Sequence, residues 1–140
     1  MGTRSLTIIQ DEDGSEIAVL YRQFDGYPEG HGAELRAFCE GKPIIKGHRA
    51  ELRAFCEGKP IINGIPVGSN TPKFGEAFNG ITDLAAAIVS FFKKNEVGEF
   101  YLHPPGYRNG EDWRYYVYPA GGKVEITQEE VKFGSRTPHS

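Results

Sequence analysis

HGAELRAFCEGKPIIKG, residues 31–47, runs without a break into HRAELRAFCEGKPIING, residues 48–64. The two 17-residue stretches differ only at Gly32 against Arg49 and at Lys46 against Asn63. Identity at that level points to a recent copying event. One copy is redundant, and the working fold is a single domain plus an insert. In residues 33–40, Leu35, Phe38 and Cys39 fall at helical spacing, and residues 50–57 repeat them. Gly41 stops the first helix and Pro43 lies beyond it. The extended pair Ile44 and Ile45 follows. Glycine and proline between the copies forbid one fused helix, and an offset of 17 residues breaks the helical phase.

Upstream, residues 4–10 and 17–24 are β-rich runs either side of DEDGSE, whose Asp13-Gly14 step is a hairpin signal. In the second run Ile17, Val19 and Tyr21 share one face, and Ala18, Leu20, Arg22 and Phe24 share the other. Downstream, residues 64–80 read as loop, and residues 81–97 give the strongest helix in the chain. Thr82 or Asp83 can cap it. Leu84, Ile88 and Phe91 form its stripe, widened by Ala87 and Phe92. Lys93 and Lys94 suit its negative end, and Gly98 stops it. Residues 99–103, 113–118 and 123–128 read as three more strands. The expected fold is α+β: a mainly antiparallel sheet of about five strands with helices on one face, carrying the tandem helix–loop duplicate. The Leu84 stripe should bury against Leu6, Ile8, Leu20, Phe100 and Leu102, or their opposite-face neighbours. Residues 1–133 form one domain and 134–140 a flexible tail. Either copy can fill the original helix site, and the spare one is expected to dock as a second short helix, on its own domain or on a neighbouring chain, so that Leu35, Phe38, Leu52 and Phe55 are all buried, because exposed apolar side chains cost more than a lengthened loop.

A chain of 140 residues with 39% hydrophobic content can bury one core. Its net charge of −3 lacks the cationic field that nucleic acid or an anionic membrane needs. No apolar run is long enough to span a bilayer, and no secretory signal opens the sequence. The two cysteines, Cys39 and Cys56, are one thiol copied, which suits a reducing compartment, the cytoplasm. Cys39 lies on the apolar stripe and reads as inert core.

Two loops hold the candidate site residues. The first, residues 24–31, places Asp25, Tyr27 and His31 beside Arg22; its plain reading is a turn in which Asp25 bonds amides of its own loop. With Thr3-Arg4-Ser5, the stretch YRQFDGYPEGHG at residues 21–32 resembles a group of small uncharacterised bacteriophage and marine viral proteins. They open on a Thr-Arg-Ser strand and carry Tyr-x-x-aromatic-Asp-Gly-Tyr-Pro before a helix. The resemblance covers roughly the first quarter of the chain. It implies a small viral accessory domain, in the host-cell cytoplasm, with no activity to carry over. The second loop, residues 103–110, holds His103, Tyr107 and Arg108 between tyrosine-rich strands that include Trp113. Aromatic faces near Arg108 and Arg114 can stack a base or hold a phosphorylated ligand; the plain reading is a hairpin with amphipathic tyrosines.

Sharper motifs fail. Gly41-Lys42-Pro43 has proline where a phosphate loop needs serine or threonine. No nucleophile elbow occurs, and no ligand set for a metal is complete. Three readings remain. The first is a non-enzymatic viral-type accessory domain acting by protein contact or self-assembly. The second is a small-ligand or nucleotide-binding module using Arg4, Arg22, Asp25, Tyr27, His31, His103, Tyr107, Arg108 and Trp113. The third is a hydrolase or transferase built on Asp25 with His31 or His103. No catalytic residue, metal or cofactor is expected on the first reading.

Overall fold

A computed structural model describes residues 3–45, 61–62, 65–66, 75–94 and 97–131. The expected helix over residues 50–57, its Leu52, Phe55 and Cys56, and the tail 134–140 lie outside the described residues.

The sheet starts from two strands, β1 (Ser5–Gln10) and β2 (Glu16–Arg22), joined by the expected hairpin. Asp13 supplies its turn chemistry by accepting the Ser15 amide at 3.0 Å, and Gly14 takes φ +87°. The other elements are α1 (Ala33–Cys39), β3 (Ile44–Ile45), β4 (Ile61–Ile62), β5 (Ile65–Pro66), β6 (Phe78–Asn79), α2 (Ile81–Lys93), β7 (Phe100–His103), β8 (Trp113–Ala120) and β9 (Lys123–Glu130). Five strands form one sheet in the order β7-β2-β1-β8-β9. Its pairs are antiparallel except β1 with β8, which run parallel. The architecture is α+β with a mixed, mostly antiparallel sheet. β8 and β9 are joined through Gly121 and Gly122, both at positive φ, as a two-residue hairpin turn requires.

Both helices pack on one face. Leu35, Phe38 and Cys39 of α1 meet Leu84, Ile88 and Phe92 of α2 over Ile9, Leu20, Phe100, Tyr115 and Val117. Three expectations need correcting here. Leu6 and Ile8 are buried on the opposite face, in a second small cluster with Val19. Leu102 is 61% exposed, on the edge strand β7. Phe92, rather than the half-buried Phe91, points into the core. The helix start also differs. Gly80 stands at the N-cap without a side-chain cap, and the Asp83 carboxylate instead accepts the Asn79 amide at 2.8 Å.

The second cluster explains the reading of β1. LTII is apolar on both faces because it is the central strand. Tyr21, Tyr107 and Tyr116 cover its outer side.

The first copy of the duplicate fills the helix position, and Gly32 shows why. A Cβ there would sit 3.0 Å from the Tyr115 ring, and the Tyr115 hydroxyl is anchored by donation to the Gly26 carbonyl at 2.7 Å. The second copy carries Arg49 at the matching place. Deleting residues 48–64 should therefore leave the sheet and α2 intact, with stability within about 1 kcal/mol of the full chain. Deleting residues 31–47 forces an arginine against Tyr115 and should cost about 1–3 kcal/mol more, restored by adding Arg49→Gly. Urea denaturation of the three variants checks this. Equal stability of the two deletions contradicts it.

Candidate functional site

Arg22 closes β2 on the face that meets the helices, 7% exposed. A guanidinium in that position needs partners. Its Nε donates to Glu99 Oε2 at 3.2 Å. Its Nη1 donates to Glu34 Oε1 at 2.9 Å and to His31 Nδ1 at 3.2 Å. The guanidinium carbon lies 4.9 Å from the Phe100 ring centroid and 5.9 Å from that of Phe92.

His31 is delivered by a single turn of π-helix, Pro28–Gly32, just ahead of α1. Such turns recur at functional positions. The His31 amide donates to the Asp25 carbonyl at 2.8 Å, and its ring is fully buried between Phe92 and Tyr115. Arginine has no acceptor, so Nδ1 must offer its lone pair to Arg22. The proton of the neutral ring therefore sits on Nε2, which donates to Thr7 Oγ1 at 2.6 Å. Burial, followed by the nearby Arg22 charge, pulls the His31 pKa down to about 3. Both ring nitrogens are engaged, and neither meets a carboxylate. A catalytic base would need the opposite arrangement, with an acid on Nδ1 and a substrate or nucleophile on Nε2.

Backbone strain converges here as well. Asp25, Lys94 and Glu99 are the non-glycine residues at positive φ among those described. Asp25 holds the His31 amide, Glu99 holds Arg22, and Lys94 lies on the rim of a cavity of about 330 Å³ that opens over Arg22. Phe91, Phe92 and Phe100 wall that cavity, and Glu34 and Glu99 share its rim.

The other expected site residues are spread over the molecule. Arg22, Asp25 and Tyr27 do lie at one end of the sheet. The Asp25 side chain, however, accepts the Tyr27 hydroxyl at 3.3 Å rather than amides of its own loop. Its positive φ turns the backbone carbonyl toward His31 instead. Gly26 is the residue that cannot change, since a Cβ there would stand 2.8 Å from Ser5 Cβ and from the backbone of residues 3 and 4. Arg4 exchanges backbone and carboxylate bonds with Asp112, and Trp113 follows on the inner face. His103 and Tyr107 stack at 3.6 Å on the outer face. Arg108 pairs with Glu16 at the far end of β2. The cavity over Arg22 is lined by neither the Asp25 loop nor the Tyr107 loop.

Sequence reasoning missed Thr7, Glu34, Glu99, Phe92 and Phe100 as site residues. A signal was present, since Arg22 alternates with Ala18 and Leu20 on the face that must meet the helices. A buried charge on that face demands acids from elsewhere in the chain. Cys39 is a free, buried thiol, raised by burial to about 12, and so unreactive. Among the described residues no group of His, Cys, Asp or Glu is placed to hold a metal, and no helix is long and apolar enough to cross a membrane. No family model, curated protein or solved structure matches the chain.

Two measurements probe the buried pair. Thr7→Val leaves the His31 Nε2 proton without an acceptor and should cost about 1–3 kcal/mol in urea denaturation; a loss under about 0.5 kcal/mol would contradict the assignment. In the unfolded chain His31 titrates near the usual value of about 6.5, and in the folded chain at about 3. Between those values the unfolded chain binds the extra proton. His31 therefore adds stability that is fully present above about pH 6.5 and lost as pH falls, with a slope approaching about 1.4 kcal/mol per pH unit. His31→Gln should remove that part of the slope between about pH 4.5 and 6.5. An unchanged slope would place the titration elsewhere.

Proposed function

We propose that this chain is a small non-enzymatic accessory domain of viral type that works by protein contact, self-assembly included, in the host-cell cytoplasm. One observation carries this reading. The large exposed hydrophobic side chains among the described residues are Phe24, Tyr27, Val97, Tyr101 and Leu102. All fall in residues 24–27 and 97–102, which the pairing of β2 with β7 and the Gln23–Glu99 backbone bond make neighbours. Apolar side chains gathered at one sheet edge mark a contact surface. The contact is made by side chains more than by added strands. The Lys93 amine already takes the Phe100 carbonyl at 3.2 Å, and Pro104-Pro105 end the edge, which blunts strand addition. The neutral, doubly bonded His31 supports binding over catalysis.

A second reading, a small-ligand module, draws support from the cavity over Arg22. On this reading the ligand site moves away from the Asp25 and Tyr107 loops.

Sedimentation tests the contact reading in its self-assembling form. The wild-type chain should associate reversibly between about 1 and 100 μM, and Leu102→Glu should abolish association. Because Leu102 is exposed, the substitution should shift stability by no more than about 0.5 kcal/mol. A wild-type chain that stays monomeric throughout, or an associating Leu102→Glu variant, contradicts this form of the proposal.

A further inference from the structure

The charged groups around the Arg22 cavity each leave one polar atom unused. Arg22 commits Nε and Nη1, and among the described residues its Nη2 has no hydrogen-bond partner. Glu34 commits Oε1 and Glu99 commits Oε2, and the other oxygen of each has no partner among the described residues. The Lys94 ammonium rests 5.1 Å over the Phe91 ring and forms no ion pair with either glutamate. Among the described residues, Ser5 Oγ is the side-chain polar atom that is both fully buried and unpartnered. The spare Arg22 nitrogen therefore faces the opening rather than dry protein. Lys94 and Glu99 are held at φ +46° and +68°, a conformation that disfavours any side chain but glycine.

The rim thus offers two cationic donors and two anionic acceptors above phenyl walls. A simple anion would meet Glu34 and Glu99, and a simple cation would meet Lys94 and Arg22. A nucleotide would bring its phosphates against both carboxylates. A ligand with adjacent opposite charges and an apolar body satisfies all of them. We infer that the cavity between α2 and β7 binds a free α-amino acid with an apolar side chain. Its carboxylate sits on Arg22 Nη2 and Lys94 Nζ, its ammonium on Glu34 Oε2 and Glu99 Oε1, and its side chain against Phe91, Phe92 and Phe100. The volume of about 330 Å³ suits so small a ligand. This inference rests on the ligand-binding reading and is independent of the contact surface.

Calorimetric titration of the full chain with leucine and phenylalanine tests it, with leucinamide and N-acetylleucine as partners lacking one charge each. The free amino acids should bind, and each blocked analogue should bind at least about tenfold more weakly. Lys94→Ala and Glu34→Gln change exposed positions. Lys94→Ala should weaken the preference over leucinamide, and Glu34→Gln the preference over N-acetylleucine; a preference unchanged in either variant contradicts the placement. If one blocked analogue binds as tightly as leucine, the zwitterion assignment falls while the cavity remains a ligand site. If no compound binds at about 10 mM, both the assignment and the ligand-binding reading fall.

Discussion

The hydrogen bond from Arg22 to the unprotonated Nδ1 of His31 is the constraint around which the described structure is arranged. A guanidinium at the end of an inner-face strand cannot be left unpaired. Its partners come from widely separated parts of the chain: His31 from the π-turn, Glu34 from α1, and Glu99 from the approach to β7. Phe92 of α2 and Phe100 of β7 flank the charge. One side chain thus registers both helices against both strands of the β2–β7 edge. The irregular features of the backbone follow from the same demand. Asp25 adopts its left-handed conformation to present a carbonyl to His31, and Glu99 adopts its own while holding Arg22.

The same arrangement underlies the proposed binding readings. His31 with an arginine on Nδ1 is locked as a neutral structural donor to Thr7. Polar groups that still have unused atoms lie at the cavity mouth, and exposed apolar groups lie along the adjoining sheet edge. Both surfaces belong to β2, β7 and the end of α2. On the outer face Tyr21, Tyr107 and Tyr116 pack over Leu6, Ile8 and Val19.

Much of the fold was legible in local pattern. The Asp13-Gly14 hairpin, the apolar stripe of α2, the first-copy helix ended by Gly41 and the late aromatic strands all announce themselves within a dozen residues. The parallel pairing of β1 with β8 does not, because it depends on where a long connection returns. Phe91 and Phe92 exchange roles because a small rotation of a helix decides which of two adjacent phenyl rings enters the core. The site was half legible. Arg22 and His31 stand close together in sequence, in the loop region that draws the eye. Glu99 lies 77 residues from Arg22, and only the β2–β7 pairing brings it there. Asp25 read as the turn's side-chain acceptor, but a positive φ turned its carbonyl to that purpose instead.

Nitrogen-15 NMR of the His31 ring tests the central claim most directly, because it reports which nitrogen carries the proton. The arrangement requires a neutral ring protonated on Nε2, with Nδ1 accepting, unchanged from about pH 8 to about pH 4. A ring protonated on Nδ1, or one that gains its second proton near the ordinary value of about 6.5, would mean that Arg22 does not hold it and that the account is wrong.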